Sequence, residues 1–222
     1  MQIVDLTHTL SADIPSWDGS CCFSLKINVD YQDCHAPNLF RVQSYTSIAG
    51  AGTHIDAPAH CFPGSDTVDR LPLHDLTCDG IVIRVDDRAD EHYRLTPDVI
   101  EEFERHHGRI PVGAFVIVYT GWERHWPDPE RYRNNLVFPS LHADAASLLL
   151  TRGVAGIGID TLSPDALGKD FPVHRIILGA GKYLVENVAH ALEVPATGSK
   201  ISIMPMKIGG GTEAPIRLVA QF

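Results

Sequence analysis

In the middle of the chain, short segments rich in valine and isoleucine alternate with capped helical segments, and this alternation restricts the possible folds more than any other feature. Three such segments are too short for helices and are predicted to be buried strands: GIVIRVDD (80–87), AFVIVYT (114–120) and VAGIGID (154–160). Between the first two, a Thr-Pro-Asp sequence at 96–98 begins a predicted helix, and Gly108 ends it. Strands that alternate with helices predict an α/β layer with some parallel pairing.

The flanking regions show a different pattern. Ser140 is predicted to cap a second helix, LHADAASLLLTR, which ends at Gly153, and QIVDLT and KISIMPMKI (200–208) are predicted as further strands. The first 70 residues and the last 25 carry many turn residues and lack clear helices, which predicts a second, antiparallel layer. Because the sequence has no internal repeat and no linker-like composition, residues 1–222 are expected to form a single three-layer β/β/α domain of the swivelling type, with mixed sheets.

Composition disfavours several classes of function. The formal net charge is -10 and no basic block is present, so nucleic-acid binding is not expected. The sequence contains no apolar stretch long enough to span a bilayer, and its start lacks the pattern of a signal peptide, so a cytoplasmic protein without membrane contact is expected. The 5 cysteines form no CxxC pair, which argues against a disulfide framework and a thiolate zinc site.

Two histidines and an aspartate lie close together in the stretch SIAGAGTHIDAPAHC (47–61). If residues 53–56 are extended, His54 and Asp56 point to the same face, because side chains alternate along a strand. Pro58 favours an extended residue before it and brings His60 near this pair but out of line with it. Imidazole and carboxylate groups suit zinc or manganese, and a further histidine nearby can act as a general base. On spacing alone, the stretch is interpreted either as a metal site or as a hydrogen-bonded loop.

Motifs along essentially the whole chain resemble those of one enzyme family. GTHIDAPAH (52–60) resembles its HxGTHxDxPxH signature, and VYTGW (118–122) resembles its TGW segment. Near the start, DLTHTL resembles the opening strand of that family, and IPSWDGS resembles its Pro-and-Trp loop. Residues 138–165 resemble its capped helix with the GIDTxSxD turn, and residues 174–187 resemble its HxxLLxxGxxxxEN segment. MPMKIGGGTEAPIRLVA resembles its closing Gly-rich hairpin. The chain is therefore identified as a member of the cyclase family of metal-dependent hydrolases, which includes bacterial kynurenine formamidase and isatin hydrolase.

The resemblance implies roles for particular residues. It implies that the divalent metal, Zn or Mn, is bound by two histidines and two acids, and that His60 acts in proton transfer. The implied ligands are His54, Asp56, His174 and Glu186. The resemblance also implies a homodimer or a higher homo-oligomer, in which loops can be shared across the interface.

Position 50 departs from the family pattern. The resemblance implies a further metal-binding histidine there, but this chain has Gly50, which carries no side chain. Three alternatives follow: one ion held by the four implied ligands, a replacement ligand such as His35 or a cysteine or a residue of another subunit, or a protein that has lost the metal and the activity. The persistence of the other implied ligands favours the first alternative.

The implied reaction is metal-assisted hydrolysis of a C–N amide bond in a small molecule, with an aromatic amide such as N-formylkynurenine as the expected substrate. Hydrolysis of an isatin-type or lactone ring is the alternative within the class, and a non-catalytic small-molecule-binding protein is the alternative outside it. Trp17 is interpreted as a flat face for an aromatic substrate or as an ordinary core or surface aromatic. Asp160, Thr161 and Ser163 follow a predicted strand, where they either line the pocket or form a hydrogen-bonded turn.

Overall fold

The computed structural model describes residues 1–168 and 170–222, and most of its strands belong to one sheet. The strands are β1 (Ile3–Asp5), β2 (Phe23–Val29), β3 (Val42–Ser47), β4 (His54–Asp56), β5 (Thr77–Arg84), β6 (Arg94–Leu95), β7 (Phe115–Tyr119), β8 (Ser140–Leu141), β9 (Gly156–Ile159), β10 (Tyr183–Glu186), β11 (Ser199–Pro205) and β12 (Glu213–Gln221). The α-helices are α1 (Pro97–His107), α2 (Pro129–Arg133), α3 (Ala143–Thr151) and α4 (Pro172–Gly179).

The large sheet closes into a barrel. Its strands follow the order β12-β11-β5-β7-β9-β10-β4, and β4 pairs again with β12 to complete the ring. Strands β5, β7, β9 and β10 are parallel, whereas β4, β11 and β12 join the ring through antiparallel pairs. Strand β1 extends the sheet along the C-terminal part of β12. The short strand β4 therefore holds the two edges of the sheet together.

Apolar side chains fill the barrel, as expected for a ring of this strand number. Glycine at two positions of β9 makes room for aromatic rings inside the barrel. A Cβ at Gly156 would overlap the ring of Tyr183, and a Cβ at Gly158 would lie 2.7 Å from the ring of Phe115. These glycines allow two large rings to pack across a single strand.

The helices α1, α3 and α4 pack outside the barrel against the outward side chains of the parallel strands. The predicted first helix is confirmed, with Thr96 at its N-cap and Gly108 at its C-cap. The prediction that Ser140 caps the second helix is wrong, because Ser140 lies in β8. His142 is the N-cap of α3 instead, and its Nδ1 accepts a hydrogen bond from the Asp144 backbone at 3.2 Å.

The mixed α/β class and the strands predicted in the middle of the chain are confirmed. The three-layer swivelling arrangement is not confirmed. The antiparallel strands from the ends of the chain do not stack as a second layer; they continue the hydrogen bonding of the parallel strands and close the ring. Local sequence patterns predict strands and helices, but they do not specify which distant strand edges meet.

Strands β2 and β3 form a separate two-stranded hairpin. Leu25 and Ile27 share one face of β2, and Tyr45 lies opposite Leu25 on β3. All three side chains are about half exposed, between 46% and 57%. An isolated two-stranded hairpin has marginal stability, so a face of this kind is expected to need further packing.

In the part of the chain that the structure describes, every helix is too short or too polar to cross a lipid bilayer.

Candidate active site

A cleft of about 400 Å³ opens at the carboxyl ends of the parallel strands β9 and β10. This volume is typical of sites for small molecules. Its walls combine aromatic and aliphatic side chains with a group of histidines and acids. The lining residues are Trp17, Ile48, Ala49, Gly50, His54, Asp56, His60, Cys61, Leu162, Ser163, Phe171, His174, Glu186 and Glu213.

Two imidazoles and two carboxylates meet at the base of this cleft. His54 and Asp56 project to the same side of β4, as the alternation of side chains predicts, and Glu186 is the direct cross-strand partner of His54 on β10. His54 Nε2 lies 3.5 Å from Asp56 Oδ1 and 3.4 Å from Glu186 Oε2. His174, from α4, completes the group: its Nε2 lies 3.5 Å from Asp56 Oδ2 and 3.3 Å from Glu186 Oε1. Residues that are far apart in the sequence thus form one buried cluster.

Both imidazoles are oriented by hydrogen bonds at Nδ1. His54 Nδ1 lies 2.8 Å from the carbonyl oxygen of Gly52, which can only accept, so Nδ1 is the donor. His174 Nδ1 lies 2.7 Å from Asp165 Oδ2. Asp165 also accepts hydrogen bonds from the backbone amides of Val173 and His174 at 2.9 and 3.0 Å, and it thereby holds the first turn of α4. In each case Nε2 faces the cluster, as a metal-binding imidazole requires.

The sequence does not mark Asp165 as a functional residue, although it lies in the segment that resembles the GIDTxSxD turn of the family. Replacing Asp165 with asparagine is expected to weaken binding of a divalent ion at the cluster about 10- to 100-fold, because the fixed orientation of His174 is lost. Competition for Zn²⁺ against a chromophoric chelator measures this change. Asp144→Asn is the matched control, since Asp144 lies 3.4 Å from His142 Nδ1 at an exposed helix start. Equal affinities of the two variants would contradict the role of Asp165.

The charges of the cluster are strongly coupled. Burial opposes a charge on His54, but the hydrogen bond with Glu186 and the charges of Asp56 and Glu186 outweigh it and raise the pKa of His54 to about 10. Burial also opposes a charge on His174, yet Asp165 and the cluster carboxylates raise its pKa to about 12. Burial works against ionised Glu186, but hydrogen bonds from the two histidines keep its pKa below the usual value. A cation that binds here must therefore displace protons from the imidazoles.

The donor set fits a divalent cation. Imidazole nitrogen and carboxylate oxygen atoms are the ligands that Zn²⁺ and Mn²⁺ share. Asp56 is 1% exposed, and its Oδ1 makes no hydrogen bond with any residue that the structure describes. A buried carboxylate oxygen without a partner is costly, and a cation would satisfy it.

His60 stands beside this cluster and not inside it. It ends the short 3₁₀ helix Pro58–His60, and Ala57 before the proline is extended, as predicted. The ring of His60 lies 6.1 Å from that of His174, between centroids, and its Nδ1 lies 3.4 Å from Glu213 Oε2. The hydrogen bond with Glu213 raises the pKa of His60 against the opposing effect of burial. Its side chain is 33% exposed and borders the cleft, which places it where a substrate can be reached.

The space beside Gly50 is occupied by Glu213, which sequence reasoning missed. A Cβ at Gly50 would overlap Glu213 Oε1 and lie 3.2 Å from His54 Nε2. Glu213 is the first residue of β12 and the cross-strand partner of Asp56. In the sequence, Glu213 belongs to the segment that resembles the closing Gly-rich hairpin of the family, and nothing local marks it as a site residue. His35, the replacement suggested by the sequence, is exposed in the loop between β2 and β3.

Among the residues predicted to bind substrate, Trp17 and Ser163 line the cleft. The ring of Trp17 lies 6.0 Å from that of Phe171, a residue that was not predicted. Asp160 is fully buried, and Thr120 donates to it through its backbone amide at 2.9 Å and its hydroxyl at 2.8 Å. Thr161 is also buried, and it donates to the carbonyl of Ser163 at 2.8 Å. The contact of Thr161 is that of the hydrogen-bonded turn, the second of the two predicted alternatives. Asp160 instead binds the segment that follows β7, and neither residue is among those that line the cleft.

Comparisons with known proteins agree on one family. The family model described as a putative cyclase matches residues 4–166. An isatin hydrolase from Roseibium aggregatum is 30% identical over 185 residues, which cover 77% of this chain and 70% of the relative. A kynurenine formamidase from Salinibacter ruber is 26% identical over 226 residues, which cover 99% of this chain and 97% of the relative.

A solved structure extends this similarity to the fold. The structure of isatin hydrolase A from Labrenzia aggregata, bound to benzyl benzoate, has a TM-score of 0.89 and 30% sequence identity to this chain. The similarity covers 99% of this chain and 93% of that structure. The barrel and the strands that carry the cluster are therefore features that this chain shares with a hydrolase.

Proposed function

The chain belongs to the putative cyclase family, and from that membership we propose that it is a metal-dependent hydrolase that cleaves a C–N amide bond of a small molecule. The observation that carries the proposal is the cluster of two imidazoles and two carboxylates at the base of the cleft, with His60 beside it. Two relatives, an isatin hydrolase and a kynurenine formamidase, support the reaction class.

An aromatic amide fits the walls of the cleft. Apolar side chains of Leu162, Phe171 and Trp17 face the same space as the polar cluster. A flat ring can pack against these side chains while its amide group points toward the histidines and acids. The proposed substrates are therefore aryl formamides of the N-formylkynurenine type, and the alternative within the class is an isatin-type cyclic amide or a lactone.

We propose that a divalent ion, Zn²⁺ or Mn²⁺, is bound by the four cluster residues. The ligands would be His54, Asp56, His174 and Glu186. When bound, such an ion polarises the amide carbonyl and lowers the pKa of water toward neutrality. The protein residues supply a fixed set of donors, since Nδ1 of each imidazole is held by Gly52 or Asp165 and Nε2 is directed inward.

His60 is the proposed proton carrier. Its Nδ1 faces Glu213, which leaves Nε2 for the reacting groups. In the proposed reaction, Nε2 accepts a proton from the attacking water while the new C–O bond forms. It then returns that proton to the leaving nitrogen as the C–N bond breaks, so the imidazole ends each cycle unchanged. Glu213 would keep the ring oriented through both transfers.

A direct assay tests the proposed function. The purified protein, loaded with Zn²⁺ or Mn²⁺, is expected to hydrolyse an aryl formamide or isatin with kcat/KM of about 10⁴ M⁻¹ s⁻¹ or more, the range of ordinary enzymes. Treatment with a chelator is expected to abolish turnover, and return of the ion is expected to restore it. A protein that binds no metal and hydrolyses neither substrate would favour the alternative of a non-catalytic binding protein.

We also propose that the chain forms homo-oligomers through the hairpin β2–β3. The exposed apolar face of Leu25, Ile27 and Tyr45 continues toward Met206, whose sulfur lies 3.5 Å from the Tyr45 hydroxyl oxygen. Residues 48–50 follow β3 directly and line the cleft, so a contact on the hairpin would also support one wall of the cleft.

Replacing Leu25 and Ile27 together with aspartate is expected to convert the oligomer to monomer, because charged groups would be buried at the contact. Size-exclusion chromatography with light scattering measures the mass. Leu73→Asp is the control, since Leu73 is an isolated side chain that is 76% exposed. A monomeric parent protein, or an oligomer that survives the double substitution, would contradict this interface.

A further inference from the structure

Position 50 and Glu213 share one small volume at the edge of the cleft. The backbone of Gly50 leaves a space beside His54 Nε2, and the Glu213 carboxylate fills it from β12. Any side chain at position 50 would overlap this carboxylate. The glycine is therefore needed for Glu213 to reach the imidazole.

The surrounding donors divide into two groups that share Asp56. Nitrogen and oxygen atoms of His54, Asp56 and Glu213 lie within 4.8 Å of one another, and so do those of Asp56, His174 and Glu186. Each carboxylate oxygen of Asp56 faces a different imidazole, Oδ1 toward His54 and Oδ2 toward His174, both at 3.5 Å. The two carboxylate oxygens of Glu186 also face different histidines, Oε2 toward His54 and Oε1 toward His174. Two bridging carboxylates between two imidazoles provide donors for two cations.

The unpartnered oxygen of Asp56 lies on the side of the Glu213 group. Oδ1 faces His54 Nε2, is buried, and has no hydrogen-bond partner among the described residues. Oδ2, on the other side, faces His174. A buried anionic oxygen directed at an imidazole and flanked by a second acid is an arrangement that a cation would stabilise.

We propose that Glu213 is a metal ligand, and that with His54 and Asp56 it forms a second cation position. When both positions are filled, Nε2 of His54 serves the second one, and the first keeps Asp56, His174 and Glu186. Glu213 replaces, from a different strand, the side chain that position 50 lacks. This inference rests on the proposed function, because the second position shares Asp56 with the first. The other carboxylate oxygen of Glu213, Oε2, faces His60, so Glu213 links the second cation position to the proposed proton carrier.

Titration of the metal-free protein with Mn²⁺ alone, with free ion followed by electron paramagnetic resonance, tests the assignment without an activity assay. We expect about two bound ions per chain for the parent protein and about one for Glu213→Gln, which keeps the size of the side chain and removes its charge. Glu193→Gln, at an exposed glutamate of the 3₁₀ helix Ala191–Glu193, is the control and is expected to bind two.

A ligand swap gives an independent test. The double variant Gly50→His, Glu213→Gly removes the overlapping carboxylate and places an imidazole in the same space, so we expect it to bind two ions again. Circular dichroism of each variant verifies folding. One ion in both the parent and Glu213→Gln, or two in both, would overturn the role of Glu213 while leaving the proposed function intact. No bound ion in the parent protein would overturn both.

Discussion

Replacing His60 with alanine is expected to lower kcat by about 10²- to 10⁴-fold and to leave the metal content of the protein unchanged. The ring stands beside the cluster and contacts Glu213, whereas the four proposed ligands contact one another. Loss of the ring therefore removes a proton carrier and no donor of the first cation position. Turnover of the best aryl amide substrate and elemental analysis of the same preparation measure the two quantities.

The outcome distinguishes three roles for His60. A variant that loses its metal would identify His60 as a ligand. A variant that keeps full turnover would remove His60 from the mechanism. His142→Ala is a suitable control, because His142 is an exposed helix cap and its loss is expected to change neither quantity.

Replacing Asp56 with asparagine is expected to weaken metal binding, which the His60→Ala substitution leaves unchanged, and to abolish turnover as a consequence. Asp56 faces both imidazoles through separate oxygens and is 1% exposed, so its charge lies at the centre of the cluster. Affinity for Zn²⁺ is expected to fall by more than the roughly 100-fold that loss of a supporting hydrogen bond costs. Calorimetric titration with Zn²⁺ measures the change.

Asp79→Asn serves as the control for this variant. Asp79 is an exposed aspartate of β5 that pairs with Lys200 on the neighbouring strand β11, and it is not among the residues that line the cleft. Its affinity for Zn²⁺ and its turnover are expected to equal those of the parent. If Asp56→Asn retained Zn²⁺ with parental affinity, the cluster could not be the metal centre.

The sequence predicted those parts of the site that depend on local geometry. Alternation along an extended segment places His54 and Asp56 on one side of β4, and the structure has this arrangement. The same local reasoning predicts that Ala57, before Pro58, is extended and that His60 lies near the pair but out of line with it, and the structure has both features. Proline, glycine and strand periodicity act over a few residues, so they can be interpreted from the sequence alone.

The parts that were missed depend on distant contacts. The closure of β4 onto β12 has no local signal, and neither does the entry of Glu213 into the space beside Gly50. Asp165 appears in the sequence as a turn residue, and only the packing of α4 shows that it holds His174. The contribution of His174 and Glu186 was implied by family resemblance, and their role as ligands remains a prediction.

The position of β4 in the ring has a consequence for the order in which the chain matures. β4 is synthesised early, whereas its partner β12 follows every other strand in the chain. Until β12 has emerged from the ribosome, one edge of β4 has no partner, and the cleft lacks the wall that carries Glu213. Open strand edges favour pairing with other chains. We therefore expect the nascent chain to be most prone to aggregation in this interval, and the second cation position to form only after the ring has closed.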